Sequence, residues 1–295
     1  MHVRHFTPMS AARAALTIAA LGLTLNLSSA ALAEPSTFDS AGVPLHVVDN
    51  GSGETVVLLH GFAGSSDLWS AAGLMPLEGF RTIVFDARGH GRSGKPEAAA
   101  DYGTALVDDV IRLMDARGVD AAHIVGYSMG AETALKLVTA HPDRVLSVVA
   151  AGSGWSGAAE AQTYGFIAST LAEVDSFGAF MAAMAPPDQE LPVDAQAAMM
   201  EVLTAHGIDP AQASAPLAAA AARLPAIISI EASALDAISV PVLGIAGADD
   251  PERANVEALA QAIPTASVTI IEAADHLTAP LTPAFAEAVT GFLAD

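Results

Sequence analysis

The segment Gly126-Tyr127-Ser128-Met129-Gly130 sits between an apolar run at residues 122–126 and a stretch with helically spaced apolar residues at 131–139. A chain that passes from strand to helix in so few residues must turn sharply at the middle one. The flanking positions must be small, because strand and helix backbones approach closely there. Such a turn strains the backbone at Ser128 and lifts its hydroxyl above the end of the strand. The helix that begins at the turn points its positive end at any negative charge developing nearby. The architecture this demands is a sheet whose strands feed directly into helices.

The rest of the chain supplies the other strands and helices. Apolar runs at 55–60, 81–86, 145–150, 241–246 and 267–272 are rich in Val, Ile and Leu and end in turn residues. Runs without polar alternation suit strands buried on both faces, as in a parallel sheet. Helical spacing recurs at 106–114, 256–263 and 285–293. The pattern predicts an α/β fold, a mostly parallel sheet with helices on both faces. Residues 44–49 followed by Asn50-Gly51 read as a strand and a hairpin turn, forming an antiparallel edge.

Residues from about 153 to 238 break the alternation. They are rich in Ala, carry Phe166, Phe177, Phe180, Met181, Met184, Met199 and Met200, and are punctuated by proline. They read as helices inserted between two strands, either packing over the sheet or forming a lid over an apolar pocket. Residues 211–222 read as a helix interrupted by Pro216. Trp155 is placed either in that pocket or in packing.

The N-terminus has a different character. Arg4 and Arg13 precede an uncharged apolar stretch, which ends in Ala31-Leu32-Ala33 before Glu34. A basic start, an apolar centre and a small-x-small site make a secretory signal peptide over residues 1–33. Asn26, Ser28 and Ser29 shorten the strongly apolar part below the ~20 residues a membrane span needs. The expectation is an exported protein, periplasmic or secreted, with one domain over 34–295 and no stable membrane anchor. With 12 Lys+Arg against 33 Asp+Glu, the net charge is −21, which repels a nucleic-acid backbone. The absence of cysteine removes disulfides, thiolate metal sites and a cysteine nucleophile.

A serine hydroxyl is a poor nucleophile until a base takes its proton. His276, in the loop after the last apolar run, can reach the rim where Ser128 stands. His60, His90 and His123 are the competitors; the first two lie in Gly-rich turns and the third starts a strand. A base of this kind needs an acid to hold its tautomer. Asp249 and Asp250, just after the run at 241–246, are both candidates, and the order Ser…Asp…His fits either.

Four motifs together resemble the α/β-hydrolase family, in its lid-bearing esterase, perhydrolase and epoxide-hydrolase-like branch. They are His60-Gly61-Phe62, the loop Asp86-Ala-Arg-Gly-His-Gly-Arg-Ser93, the Ser128 pentapeptide, and Asp250 with His276. The resemblance covers roughly residues 40–295. It implies that the acid lies three residues after Gly247, at Asp250. It also implies that the backbone N–H groups of Phe62 and Met129 form an oxyanion hole. The run 88–94 corresponds to a structural loop, read as shape rather than chemistry. Ala131 departs from the second glycine common in relatives, a change a methyl group accommodates.

The resemblance implies a serine hydrolase for small carboxylic esters or lactones, working through an acyl-enzyme without metal or cofactor. Relatives that open epoxides or remove halide carry Asp where Ser128 stands, so acyl transfer is favoured. A cofactor-free perhydrolase or haloperoxidase-like enzyme, or a carbon–carbon bond hydrolase, would use the same three residues. A ligand-binding protein of this fold without turnover is the alternative from another class.

Overall fold

A computed structural model describes residues 33–156, 160–185 and 193–294 of the chain. The signal peptide expected at 1–33 lies outside the described residues except for Ala33.

The centre is an eight-stranded sheet in the order β1-β2-β4-β3-β5-β6-β7-β8. Its strands are β1 (Ser36–Ser40), β2 (Val43–Gly51), β3 (Glu54–Leu59), β4 (Phe80–Phe85), β5 (Ala122–Tyr127), β6 (Val145–Ala151), β7 (Val242–Gly247) and β8 (Ala266–Ile271). β1, β2 and β4 pair antiparallel; every pairing from β4 through β3 to β8 is parallel. All the strands read from the sequence are present, within one or two residues of the predicted limits.

The hairpin predicted at Asn50-Gly51 is not formed. β2 runs through both residues and pairs along Val47–Gly51 with β4, not with the next strand β3. The tight turn lies one strand earlier, at Ala41 and Gly42, whose positive φ values of 53° and 87° join β1 to β2. That two-residue geometry matches the right-handed twist of paired strands, and it makes β1 the edge. The short, mostly exposed β1 has too little apolar pattern to be visible in the sequence.

Helices cover both faces. α1 (Asp67–Ala71) lies after β3, α2 (Ala105–Ala116) after β4 and α3 (Met129–Ala140) directly after β5. α10 (Arg253–Ala262) and α11 (Pro283–Ala294) follow β7 and β8. Strand side chains alternate between two cores, as the pleat requires. Val57 and Leu59 of β3 pack with α2, α3 and α10, while Val56 and Leu58 pack with α1 and α11. Burial on both faces is why these strands are unbroken apolar runs.

The insertion between β6 and β7 holds α4 (Glu160–Ala172), α5 (Phe177–Met184), α6 (Val193–Ala205), α7 (Ser214–Ala221), α8 (Pro225–Ile228) and α9 (Ala232–Asp236). A small core of Leu171, Phe177, Leu203, Ile208 and Leu217 packs α4 to α7 onto Ala63 and Phe62, at the end of β3. Pro216 does not interrupt a helix. It lies in the first turn of α7, where its missing N–H has no helical partner to lose. Phe166, Met184, Met199 and Met200 face outward, so they form neither core nor pocket.

Candidate active site

Parallel neighbours end at the same rim of a sheet, and four such ends carry the residues singled out from the sequence. Ser128 follows β5 with φ 54° and ψ −118°, a left-handed conformation that a residue with a Cβ rarely adopts. Such strain costs about 1–3 kcal/mol and persists only where surroundings enforce it. Here the Ser128 N–H donates to the Ala151 carbonyl at 2.7 Å, and Ala131 N–H donates to the Ser128 carbonyl at 2.8 Å. The flanking glycines are required by contact. A Cβ on Gly126 would collide with the Gly130 backbone, and one on Gly130 with the Leu59 carbonyl.

His276, beyond β8, places Nε2 3.1 Å from Ser128 Oγ. On its other side, Nδ1 lies 3.1 Å from each carboxylate oxygen of Asp250. Asp250 is buried, and its Oδ1 also accepts the Glu252 N–H at 2.8 Å. Asp249 is exposed and makes no contact of this kind among the described residues. Of the two aspartates open in the sequence, Asp250 is the one beside His276.

The His276 loop is fastened from several directions. The Tyr127 hydroxyl donates to the His276 carbonyl. His206, just past α6, donates Nε2–H to the Leu277 carbonyl at 2.8 Å. Burial holds the His206 imidazole below its ordinary range, outweighing that hydrogen bond, so it bonds as a neutral ring. Within the loop, Asp275 accepts from Thr278 Oγ1 at 2.7 Å and from the N–H groups of Leu277 and Thr278. Burial would push the Asp275 carboxyl up, but these hydrogen bonds and His276 bring it below the usual range.

Phe62 and Met129 both adjoin the serine. Met129 opens α3, so its N–H is one the helix leaves without an internal partner. Gly61 lies against Ser128, since a Cβ there would sit 3.3 Å from Ser128 Cβ, and Phe62 lines the same cavity as Ser128.

The competing histidines are committed elsewhere. His60 donates Nδ1–H to the Gly61 carbonyl at 2.8 Å and accepts the Ala87 N–H on Nε2 at 2.9 Å. His90 donates Nδ1–H to the Arg88 carbonyl, and burial, with His60 alongside, lowers it from 6.5 to about 3. His123 bonds Ser147 Oγ within the sheet. The loop after Asp86 is organised by that carboxylate, which accepts from Ser66, from the Arg92 backbone and from Arg92 Nε. Burial opposes its charge, but these donors hold it well below the usual carboxylate range.

Two cavities adjoin Ser128 and His276. One, of about 200 Å³, is lined by Phe62, Phe177, Met181, Leu203, Ile208 and Leu277. The other, of about 130 Å³, is lined by Glu132, Ser153, Thr163, Tyr164, Ile167 and Glu252. A larger surface hollow of about 320 Å³ lies by His46, Asp67 and Arg92 and shares no residue with these. Trp155 lines neither chamber; its Nε1 donates to the Ile230 carbonyl at 3.1 Å, a packing role.

Sequence reading missed Tyr127, Glu132, Tyr164 and His206. Glu132 was the most detectable, as the one acidic residue in an otherwise apolar and small-residue turn after Ser128. The others depend on contacts between distant segments.

Residues 54–280 match the profile of the family described as the alpha/beta hydrolase fold. A 2-hydroxy-6-oxo-6-phenylhexa-2,4-dienoate hydrolase from Burkholderia cepacia is 36% identical over 118 residues, 39% of this chain and 41% of that protein. The chain spans between 29% and 44% of the length of the curated relatives it matches. A solved hydrolase from Pseudomonas aeruginosa PA01 superposes with a TM-score of 0.72 at 26% identity, covering 88% of this chain and 98% of that one. The structure of an N-acyl homoserine lactone degrading enzyme superposes with a TM-score of 0.67 at 27% identity, over 87% of this chain and 100% of that one. Profile, sheet order and strand-end geometry agree, and the chain belongs to the α/β-hydrolase family, with the fold of a hydrolase.

Proposed function

We propose that the protein is a serine hydrolase of carboxylic esters or lactones. The observation that carries this reading is the unbroken relay from Ser128 Oγ through His276 to Asp250, each step 3.1 Å long. In this mechanism Ser128 Oγ attacks the ester carbonyl as His276 Nε2 takes its proton. Asp250 holds the proton on Nδ1 and stabilises the imidazolium that forms. The backbone N–H groups of Phe62 and Met129 receive the oxyanion, each worth ~10²–10³ in rate. His276 then protonates the leaving alcohol, and water, activated by the same imidazole, releases the acid from the acyl-enzyme.

Ser128 rather than Asp at the turn favours acyl transfer over epoxide or halide chemistry. The likeness to a lactone-degrading enzyme adds support for esters and lactones. The likeness to a dienoate hydrolase keeps carbon–carbon cleavage as the second reading, since that chemistry can use the same three residues. The insertion acts in this reading as a lid, because its core rests on Phe62 and Ala63 and its Phe177, Met181 and Leu203 close the apolar chamber. Residues 1–33 would direct the enzyme out of the cytoplasm, which N-terminal sequencing of protein recovered outside the cytoplasm would test.

The test is hydrolysis of ester, lactone and dienoate series by the wild-type chain and Ser128→Ala. Loss of ester and lactone turnover in the variant is expected. Turnover unchanged by Ser128→Ala, or confined to the dienoate series, would sink the proposal.

A further inference from the structure

The two chambers that meet at Ser128 differ in chemistry. The larger is apolar, while the smaller one presents carboxyl and hydroxyl groups. We infer that the smaller chamber is the subsite for a protonated amine on the substrate, with Glu132 as the residue that selects it. This rests on the ester-hydrolase reading and names the substrate class for it: esters whose acyl or alcohol part ends, after a short arm, in an ammonium group.

Glu132 is 2% exposed, in the first turn of the helix that Ser128 opens. Its neighbours on that helix, Ala131, Ala134 and Leu135, are buried and apolar. The fold there calls for small or apolar side chains, and a carboxyl buried among them is costly unless hydrogen bonds hold it. Its Oε1 accepts from the Tyr164 hydroxyl at 2.6 Å and from Ser153 Oγ at 3.1 Å. Those two donors come from α4 of the insertion and from the segment just past β6, and they hold the carboxyl of a residue that lines the chamber. The positive end of α3 helps to tolerate charge there.

A second carboxyl, Glu252, lines the same chamber, its Oε2 held by Asn255 Nδ2 at 2.7 Å. Among the described lining residues there is no Lys or Arg. A carboxylate-bearing substrate would meet two carboxyl groups and no Lys or Arg among the described lining residues, and a plain alkyl group would strip water from acceptors without replacing its hydrogen bonds. An ammonium group brings three donors and the opposite charge. The net charge of −21 draws cations toward the protein in the same sense. At about 130 Å³ the chamber holds only a few heavy atoms, which sets the arm short.

The test uses three esters of equal length ending in ammonium, methyl or carboxylate, with the terminal group placed in the acyl part in one set and in the alcohol part in the other. In one set the wild-type kcat/KM for the ammonium ester should exceed that of the methyl ester by about tenfold or more, with the carboxylate ester slowest. Glu132→Gln keeps the shape and one acceptor for Tyr164, and should lower the ammonium-to-methyl ratio at least about fivefold. The wild-type ratio stands even if the variant does not fold, a point checked by its circular dichroism melt. Ser128-dependent hydrolysis without an ammonium preference in either set, or a preference that survives Glu132→Gln, would overturn the assignment and leave the ester reading intact. No turnover of any of the esters would overturn both.

Discussion

Replacing Asp250 by Asn probes the proposed relay with almost no change of shape. The carboxylate is buried, and both of its oxygens sit 3.1 Å from His276 Nδ1. Oδ1 also accepts the Glu252 N–H at 2.8 Å. An amide at this position must keep its oxygen on the Glu252 side, because an NH2 group cannot accept. The NH2 then occupies the Oδ2 position, facing Nδ1. It opposes a proton there and favours the tautomer protonated on Nε2, which cannot take the serine proton. The charge that steadies the imidazolium is lost as well. The same substitution in serine-triad enzymes costs ~10⁴ in kcat. The oxygen retained on the Oδ1 side can still accept part of the Nδ1 proton density, so a loss of about 10³–10⁴, or ~4–5.5 kcal/mol of transition-state stabilisation, is expected. Steady-state kinetics on the best ester, with Asp249→Asn as partner variant, measure it. Asp249 is exposed, so its variant should stay within about twofold of wild type. A loss under about tenfold for Asp250→Asn, with the fold intact by circular dichroism, would refute the assignment. So would an equal loss from Asp249→Asn.

Other consequences follow from packing and burial. Gly130→Ala should unfold the chain or cost more than ~3 kcal/mol, because the added methyl meets the Leu59 carbonyl; urea titration reads this directly. Asp109 accepts from Arg88 Nε at 2.7 Å and Arg88 NH2 at 2.5 Å, with both side chains buried, so Asp109→Ala should cost about 3–5 kcal/mol in the same assay. Acid should destabilise the protein before its carboxylates titrate. His60 and His90 are held below their ordinary 6.5 by burial, so the unfolded chain binds more protons than the native one as pH falls below 6.5. Stability is then complete above that pH and lost below it, at up to ~1.4 kcal/mol per pH unit for each such histidine. For His90 the loss continues down to about pH 3, and its Nε2, without a partner among the described residues, has no acceptor for the added proton. A melting temperature that stays flat from pH 7 to 5, or a slope unchanged by His90→Gln, would contradict this.

The strands and most of the helices were legible in the sequence for a local reason. A strand covered on both faces must be apolar where it is covered, as β7 is throughout, β3 from Val56 to Leu59 and β5 from Ile124 to Tyr127. The glycine-flanked Ser128 was legible too, since close approach of β5 and α3 leaves no room for other side chains at positions 126 and 130. Strand order was not. Asn50-Gly51 carries a hairpin signal, yet β2 extends through it, because its partner β4 lies beyond β3 in the chain and pairing across that distance outweighs a turn preference. The choice between Asp249 and Asp250 rested on family spacing. The structure separates them physically, burying one carboxylate against His276 and leaving the other in water. The setting of Glu132 belongs wholly to tertiary structure. Its place in the sequence marks only a carboxyl in a small-residue turn; Ser153 just past β6 and Tyr164 from the insertion hold the carboxyl of a residue that lines the chamber beside the serine. Periodicity and turn chemistry act between neighbours in the chain, so the sequence alone determined the elements and the serine turn. The partners of the site's carboxylates and imidazoles come from segments up to 148 residues apart, and only the assembled sheet brings them within hydrogen-bond reach.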